Sequence, residues 1–284
     1  MKFSKAMAMN EVADGRFTAG FDQSWWVVNG PNGGIIAALC LRAAQQCLGV
    51  ERTVRTISTH FLSAPGEGNV DIEVTVEKLG RIAGFASVRM TQKARPIAIA
   101  LVAVGDLEDS LQPWEQRDFP ALPSIDETWT MASESPLVPL RQRWEQLWGV
   151  GVPGHSETST IAGAYEVGGW CRLSEPEPYD AAILTAMADS WVPAIMIHTD
   201  LPVHTPTVEL TVQFRVDPGK LELADDSFCA SVFRQLSGRN GFLDESGEIW
   251  SREGDLLALS RQIGVILPRE ADTIGEWKFT RTQD

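Results

Sequence analysis

The sequence predicts an α+β fold built from two similar halves. Three observations lead to this prediction. Each half contains one strongly apolar stretch of helix length, each stretch is followed by segments in which apolar and polar residues alternate, and the order repeats after roughly 150 residues. A chain of 284 residues is long enough for two domains of ordinary size.

The first half opens with an aromatic segment, Arg16–Val28, and then turns at a glycine-rich stretch. From Ile35 to Leu48, apolar residues cover nearly every direction around a helix, which predicts a helix buried on all sides. Alternation of apolar and polar residues is clearest from Val70 to Glu77. Strands are predicted there and at Arg52–Leu62, Phe85–Thr91 and Pro96–Val104.

The second half repeats this order after a stretch in which prolines and acidic residues replace the periodic pattern. A helix is predicted from Asp180 to Ile197. Two tryptophan-bearing segments, Leu140–Trp148 and Tyr165–Leu173, precede this helix. Four strands are predicted after it, at Thr205–Val216, Phe228–Leu236, Gly247–Ser251 and Gly254–Ile266. We therefore expect an N-terminal domain of residues 1–105, a Pro-rich linker of residues 106–139 and a C-terminal domain of residues 140–284. A long apolar helix wrapped by a curved antiparallel sheet is the hotdog arrangement, so the pattern predicts two tandem hotdog domains.

Composition and motif content argue against several classes of function. A formal net charge of −14 and a pI near 4.7, without clustered Lys and Arg, argue against a nucleic-acid partner. No HExxH, CxxC or GxSxG pattern is present, and neither is a phosphate-binding GxxxxGKS/T loop, so no metal or nucleotide cofactor is expected. No stretch has the length and apolarity of a signal peptide or a membrane span, which favours a cytoplasmic protein.

The loop before the first buried helix is the first candidate site. It reads Gly30-Pro31-Asn32-Gly33-Gly34. The first turn of a helix has free N–H groups, and glycine lets a ligand approach them, so this loop could polarise a carbonyl oxygen that becomes an oxyanion. The alternative is a plain loop in which Asn32 caps the helix.

Asp189 is the most informative single residue, because almost everything around it in the sequence is apolar. A carboxylate in such surroundings is destabilised unless it is paired, and burial raises its pKa, which suits a general base. Thr185, one helical turn earlier, could donate a hydrogen bond to it. The alternative is a structural carboxylate bonded to Thr185, Ser190 or a tryptophan N–H.

Two further polar residues are candidates. Gln262 lies in an otherwise apolar final strand, where a neutral amide could orient a water molecule while bonding a carboxylate. Thr207 opens an earlier strand, but alternation places it on the face of Glu209 and Gln213, which is usually solvated. Gln262 could equally be an ordinary edge residue.

Taken together these residues resemble the acyl-CoA thioesterases of the bacterial thioesterase II type and their thioesterase-like relatives, in which two hotdogs are fused in one chain. Three stretches carry the resemblance: GPNGGIIAAL from Gly30, THFLSAPG from Thr59 and WSREGDLLALSRQ from Trp250. The resemblance covers nearly the whole chain except the linker. Asn32 and Ser190 depart from the better-known members, which leaves the acyl-chain specificity open.

The resemblance implies a hydrolase of acyl thioesters, most simply of acyl-coenzyme A, acting in lipid metabolism. Asp189, Thr207 and Gln262 would position and activate a water molecule that attacks the thioester carbonyl without a covalent acyl-enzyme. Asn32, Gly33 and Gly34 would bind substrate, and the amides near Gly33 and Gly34, or those at the Asp-bearing helix, would polarise that carbonyl. Two alternatives stay open: a non-catalytic acyl-thioester binding protein and a hotdog hydratase or dehydratase. The thiol component could be coenzyme A or a carrier protein, and exposed sheet edges favour a homodimer.

Overall fold

The structure, a computed structural model, describes residues 1–106, 114–132, 138–155, 158, 165–198, 203–217, 220–221, 223–268 and 278–282. The first half contains, in chain order, α1 (Phe3–Ala6), β1 (Met9–Ala13), β2 (Arg16–Gly20), β3 (Trp26–Val27), β4 (Gly30–Pro31), α2 (Gly33–Leu48), β5 (Val54–Phe61), β6 (Asn69–Leu79), β7 (Gly84–Gln92) and β8 (Arg95–Val104).

The second half contains β9 (Trp129–Met131), β10 (Trp144–Val150), β11 (Tyr165–Leu173), α3 (Ala181–Met187), α4 (Ile195–His198), β12 (Val203–His204), β13 (Thr207–Phe214), β14 (Cys229–Gln235), β15 (Gly238–Arg239), β16 (Phe242–Trp250), β17 (Leu256–Val265), β18 (Leu267–Pro268) and β19 (Phe279–Arg281). Most predicted strands are confirmed to within a few residues. The strand expected at Gly247–Ser251 is longer than predicted, since it begins at Phe242.

One antiparallel sheet runs through both halves in the order β1-β2-β6-β7-β8-β5-β13-β17-β16-β14-β11-β10-β9-β19. The halves join where β5 pairs with β13, with Thr59 opposite Leu210 and Ile57 opposite Val212. Few helices and a large antiparallel sheet confirm the α+β class. The inner face of the sheet, as we call the face that carries Thr59 and Leu210, packs against the helices.

Helix α2 lies inside the curve of this sheet. Its residues from Ala38 to Leu41 are fully buried. The helix contacts β5, β6, β7 and β8 of its own half and α3 of the second half. A helix that is apolar on all sides is stable here because sheet and helix cover it from every direction. None of the helices in the described part of the chain is long and apolar enough to cross a membrane.

The second helical segment differs from its prediction. A single helix from Asp180 to Ile197 was expected, and this is wrong, because α3 ends at Met187 and α4 begins only at Ile195. The amide and the hydroxyl of Ser190 both donate to the carbonyl oxygen of Met187, at 3.1 and 2.9 Å, which ends α3. Pro193 then disfavours helical backbone at the residue before it. Asp189 consequently lies in the turn after α3.

Part of the predicted linker packs on the outer face of the second half. Trp170 donates its indole N–H to the carbonyl oxygen of Pro123 at 3.0 Å, and the ring of Phe119 lies against Trp170 and Trp250. Strand β9, also within the predicted linker, pairs with β10 and β19. Residues 107–113 and 133–137 of this linker lie outside the described residues. The domain boundaries at 105 and 140 stay predictions.

Candidate functional site

Asp189, from the second half, reaches the start of helix α2 in the first half. Its Oδ2 accepts hydrogen bonds from the backbone N–H of Gly34 and from Nδ2 of Asn32, each at 2.8 Å. The same Nδ2 donates to the backbone carbonyl of Asp189 at 2.8 Å. Asn32 is the N-cap residue of α2, yet its side chain makes no capping hydrogen bond within its own helix. The carboxylate of Asp189 therefore caps α2 from the other half of the chain, where a negative charge is favoured by the helix dipole.

Glycine at positions 33 and 34 is required by this close contact. A Cβ on Gly34 would lie 2.9 Å from the carbonyl oxygen of Ala186 and 3.0 Å from Cβ of Asp189. A Cβ on Gly33 would lie 2.9 Å from Oδ2 of Asp189 and 3.2 Å from the ring of Phe61. The two glycines thus let the first turn of α2 press directly on the turn that carries Asp189.

The surroundings of Asp189 raise the pKa of its carboxyl group to about 6. Burial is the largest cause, because desolvation disfavours the charged form. The amide of Gly34, the side chain of Asn32 and the amide of Gly33 act in the opposite direction. Near neutral pH the group is therefore mostly ionised and is also a better proton acceptor than an exposed aspartate.

The expected structural partners of Asp189 are bonded elsewhere. Thr185 donates its hydroxyl to the carbonyl oxygen of Ala181 at 2.7 Å, so the expected bond from Thr185 to Asp189 is wrong. Ser190 bonds Met187, and the indole N–H of Trp191 donates to Ser231 at 2.9 Å. In the described residues no hydrogen bond ends on Oδ1 of Asp189.

Thr207 and Gln262 form a second cluster on the sheet. The hydroxyl of Thr207 donates to Oε1 of Gln262 at 3.1 Å. Strict alternation would turn Thr207 to the outer face, but the register of β13 against β17 shifts between Thr207 and Glu209. This bulge pairs Thr207 with Gly264, on the same face as the pair of Leu210 and Gln262, and so brings the hydroxyl to the inner face.

Sequence reasoning missed a second carboxylate, Glu245, which is only 4% exposed. It lies on β16 directly opposite Gln262, whose Nε2 donates to Oε1 of Glu245. Nε2 of Gln235, on the neighbouring strand β14, donates to Oε2 at 2.8 Å. The missed signal is alternation: Leu243, Glu245 and Gly247 continue the buried face of β16 toward its N-terminal end.

The two clusters are electrostatically coupled. Burial raises the pKa of Glu245, the negative charge of Asp189 raises it as well, and Glu245 holds the amide of Gln262. Among the described residues no hydrogen bond joins Asp189 directly to Thr207 or Gln262. The structure thus brings Asp189 together with Asn32, Gly33 and Gly34, and brings Thr207 together with Gln262, as two groups.

Two family models match this architecture. Residues 22–105 match the N-terminal domain of acyl-CoA thioesterases, and residues 116–266 match their C-terminal domain. The chain therefore belongs to the acyl-CoA thioesterase family.

Similar proteins support the fold. An uncharacterised protein of Mycobacterium tuberculosis is 26% identical over 272 residues, which cover 88% of this chain and 90% of that protein. A hotdog-fold protein of unknown function from Alicyclobacillus acidocaldarius superposes with a TM-score of 0.83 at 24% identity, covering 94% of this chain and 98% of the other. An acyl-CoA thioesterase II from Mycobacterium marinum superposes with a TM-score of 0.76 at 16% identity, covering 95% of this chain and 99% of the other. The hotdog fold is thereby confirmed.

Proposed function

We propose that this protein hydrolyses an acyl thioester, most simply an acyl-coenzyme A, to a free acid and a thiol. The observation that carries the proposal is the carboxylate of Asp189, which the start of helix α2 holds in place while burial raises its pKa to about 6. A fixed carboxylate with a raised pKa is the group that general-base hydrolysis needs. Membership of the acyl-CoA thioesterase family supplies the substrate class.

Asp189 acts as the general base. Its Oδ2 is held by Asn32 and Gly34, and its Oδ1 accepts a proton from the attacking water. Holding one oxygen keeps the other in a constant position, which reduces the entropy lost when water, base and substrate align. Asn32 and Gly34 were expected to polarise the thioester carbonyl. In the proposed mechanism their N–H groups fix the base instead.

Thr207 and Gln262 orient the same water. Because the Thr207 hydroxyl donates to Oε1 of Gln262, its oxygen can accept a hydrogen bond from the water. Nε2 of Gln262 donates one N–H to Glu245, and its second N–H is free to donate to the water oxygen. The remaining lone pair of the water then attacks the carbonyl carbon.

The proposed reaction balances without a cofactor. The water oxygen bonds to the carbonyl carbon as Asp189 takes its proton, which gives a tetrahedral intermediate. This intermediate collapses, the carbon–sulfur bond breaks and the thiolate leaves with both bonding electrons. The protonated Asp189 returns its proton to the sulfur, so the products are the free acid and the thiol.

Two tandem hotdog domains are the architecture that we propose for this function. Each half supplies a buried helix, α2 or α3, and a set of antiparallel strands, and the two family models divide the chain in the same order. Asp189 of the C-terminal half and Gly34 of the N-terminal half meet in one site, which explains why both halves are needed. A homodimer and a cytoplasmic location stay predictions from the sequence.

The decisive experiment measures free thiol released from short, medium, long and branched acyl-coenzyme A substrates, with chelator present and without added nucleotide. We expect turnover of at least one substrate well above the uncatalysed rate. If no substrate is turned over while one binds in calorimetry, the protein is an acyl-thioester binding module and the proposal is wrong.

A further inference from the structure

Glu245 is a buried carboxylate with two amide donors and no cationic partner among the described residues. Each of its oxygens accepts from a different glutamine, Oε2 from Gln235 and Oε1 from Gln262. A buried carboxylate without a cation is destabilising unless its lone pairs are satisfied. Its position in the middle of the inner face, beside the proposed site, therefore suggests a functional role.

The hydrogen-bonding chemistry of Glu245 determines the orientation of both neighbouring amides. An ionised carboxylate only accepts hydrogen bonds, so the nitrogen of each glutamine must face it. The oxygen of Gln235 then accepts from the backbone N–H of Ile195 at 2.7 Å, and the oxygen of Gln262 accepts from Thr207 at 3.1 Å. One carboxylate thus sets the direction of a chain of hydrogen bonds that runs from Ile195 to Thr207.

We propose that Glu245 is a positioning residue of the hydrolytic site, which holds the amide of Gln262 so that its oxygen faces Thr207 and its free N–H faces the attacking water. This inference rests on the proposed function, because the water is the one that Asp189 activates. With the amide reversed, the nitrogen of Gln262 would donate to Thr207. Neither the threonine oxygen nor the glutamine N–H could then form its hydrogen bond with the water.

The charges around Glu245 fit this role. The pKa of its carboxyl group is raised to about 7, chiefly by burial and also by the charges of Asp189 and Asp244, while the amides of Gln262 and Gln235 act in the opposite direction. Asp189 faces Glu245 from the turn after α3 and Asp244 is its neighbour on β16, whereas β14 and β17 present the neutral amides. Above this pKa the carboxylate keeps both amides oriented. Below it, a protonated oxygen would permit the reversed amide.

The substitution Glu245→Gln tests the proposal with little change of shape. A glutamine at position 245 offers one acceptor and one NH₂ group, so one neighbouring amide must reverse. Gln262 is the one expected to reverse, because Gln235 is also held by the fixed backbone N–H of Ile195. We expect kcat to fall by about tenfold with KM within about twofold, a size typical of residues in one hydrogen-bond network.

A double variant and a matched control separate positioning from a structural role. In a Gln262→Ala background, Glu245→Gln should lower kcat no further, because the amide it orients is gone. Glu166→Gln removes another fully buried carboxylate, which pairs with Arg234 at 2.7 Å on the opposite face of the sheet. This control should lower Tm and leave kcat within about twofold.

The outcomes are distinct. If kcat of Glu245→Gln equals that of the wild type, or if its effect adds fully to that of Gln262→Ala, the positioning role is wrong. Should Glu245→Gln fail to fold, Glu245→Asp repeats the test, since the shorter side chain draws the carboxylate away from Gln262 while keeping its charge. An inactive wild type would instead overturn the proposed function itself.

Discussion

Oδ2 of Asp189 accepts a hydrogen bond from the backbone N–H of Gly34 at 2.8 Å, across 155 residues of sequence. The base thus comes from one half of the chain and the helix start that fixes it comes from the other. Because the two groups meet only when the halves are docked, the site depends on the continuous sheet that joins them at β5 and β13. The consequences of this arrangement can be measured.

Asp189→Asn should lower kcat by roughly 10²–10⁴-fold, the usual scale for loss of a general base. The fold should survive, because both side-chain hydrogen bonds of Asp189 end on one oxygen and the amide oxygen of asparagine can accept them both. Steady-state kinetics and thermal denaturation of the same preparation check this. Asp180→Asn is the matched control: Asp180 also caps a helix, accepting from the N–H of Ile183 at 2.9 Å, and its variant should keep kcat. An active but destabilised Asp189→Asn variant would show that the base is another residue.

The pH dependence of kcat/KM should follow the ionisation of Asp189. Below its pKa the carboxyl group is protonated and cannot accept a proton from water. The rate should therefore rise with pH through an inflection near pH 6, with a smaller further rise near pH 7 as Glu245 ionises and orients Gln262. An ordinary aspartate would place the inflection near pH 4. A pH profile of the free enzyme measures the difference, and the residual activity of Asp189→Asn should lack the inflection near pH 6.

Thr207→Val should reduce kcat by about tenfold or more, because it removes the hydroxyl that bonds Gln262 and accepts from the water. Thr207→Ser keeps the hydroxyl and should stay within a few-fold of the wild type. Thr211→Val is the control on the same strand, since the Thr211 hydroxyl bonds Ser58 on the outer face. Equal kcat values for the Val variants at 207 and 211 would remove Thr207 from the site.

Gly34→Ala should lower the free energy of unfolding by about 1–3 kcal/mol, the usual range for overpacking. Its Cβ would lie 2.9 Å from a backbone carbonyl oxygen, that of Ala186, which cannot move away without shifting the turn that carries Asp189. We therefore expect kcat to fall as well. Gly66→Ala, where the nearest atom is 3.9 Å from the new Cβ, should change neither quantity appreciably. Chemical denaturation and kinetics of both variants check this prediction, and a stable, fully active Gly34→Ala variant would contradict it.

Much of the fold could be predicted because it depends on local patterns. The run from Ile35 to Leu48 is apolar in every direction, and a helix of that kind is stable only inside a surrounding layer. Alternation located most strands, since one face of each is buried. The helix predicted from Asp180 failed because its end depends on the hydrogen bonds of Ser190 and on Pro193, which apolar periodicity does not reveal.

The site divides in the same way. The sequence alone reveals an aspartate among apolar residues and a glutamine in an apolar strand. Such residues indicate a site because a buried polar group is destabilising unless it is hydrogen-bonded. The hydrogen bonds of Asp189 with Asn32 and Gly34 cannot be recognised from the sequence, since they depend on how two distant segments dock. The inward turn of Thr207 depends on a bulge, and a single extra residue reverses the face that alternation assigns. The unusual residues can thus be recognised from the sequence alone, whereas their contacts follow from the folded chain, because hydrogen bonds between distant segments depend on three-dimensional packing.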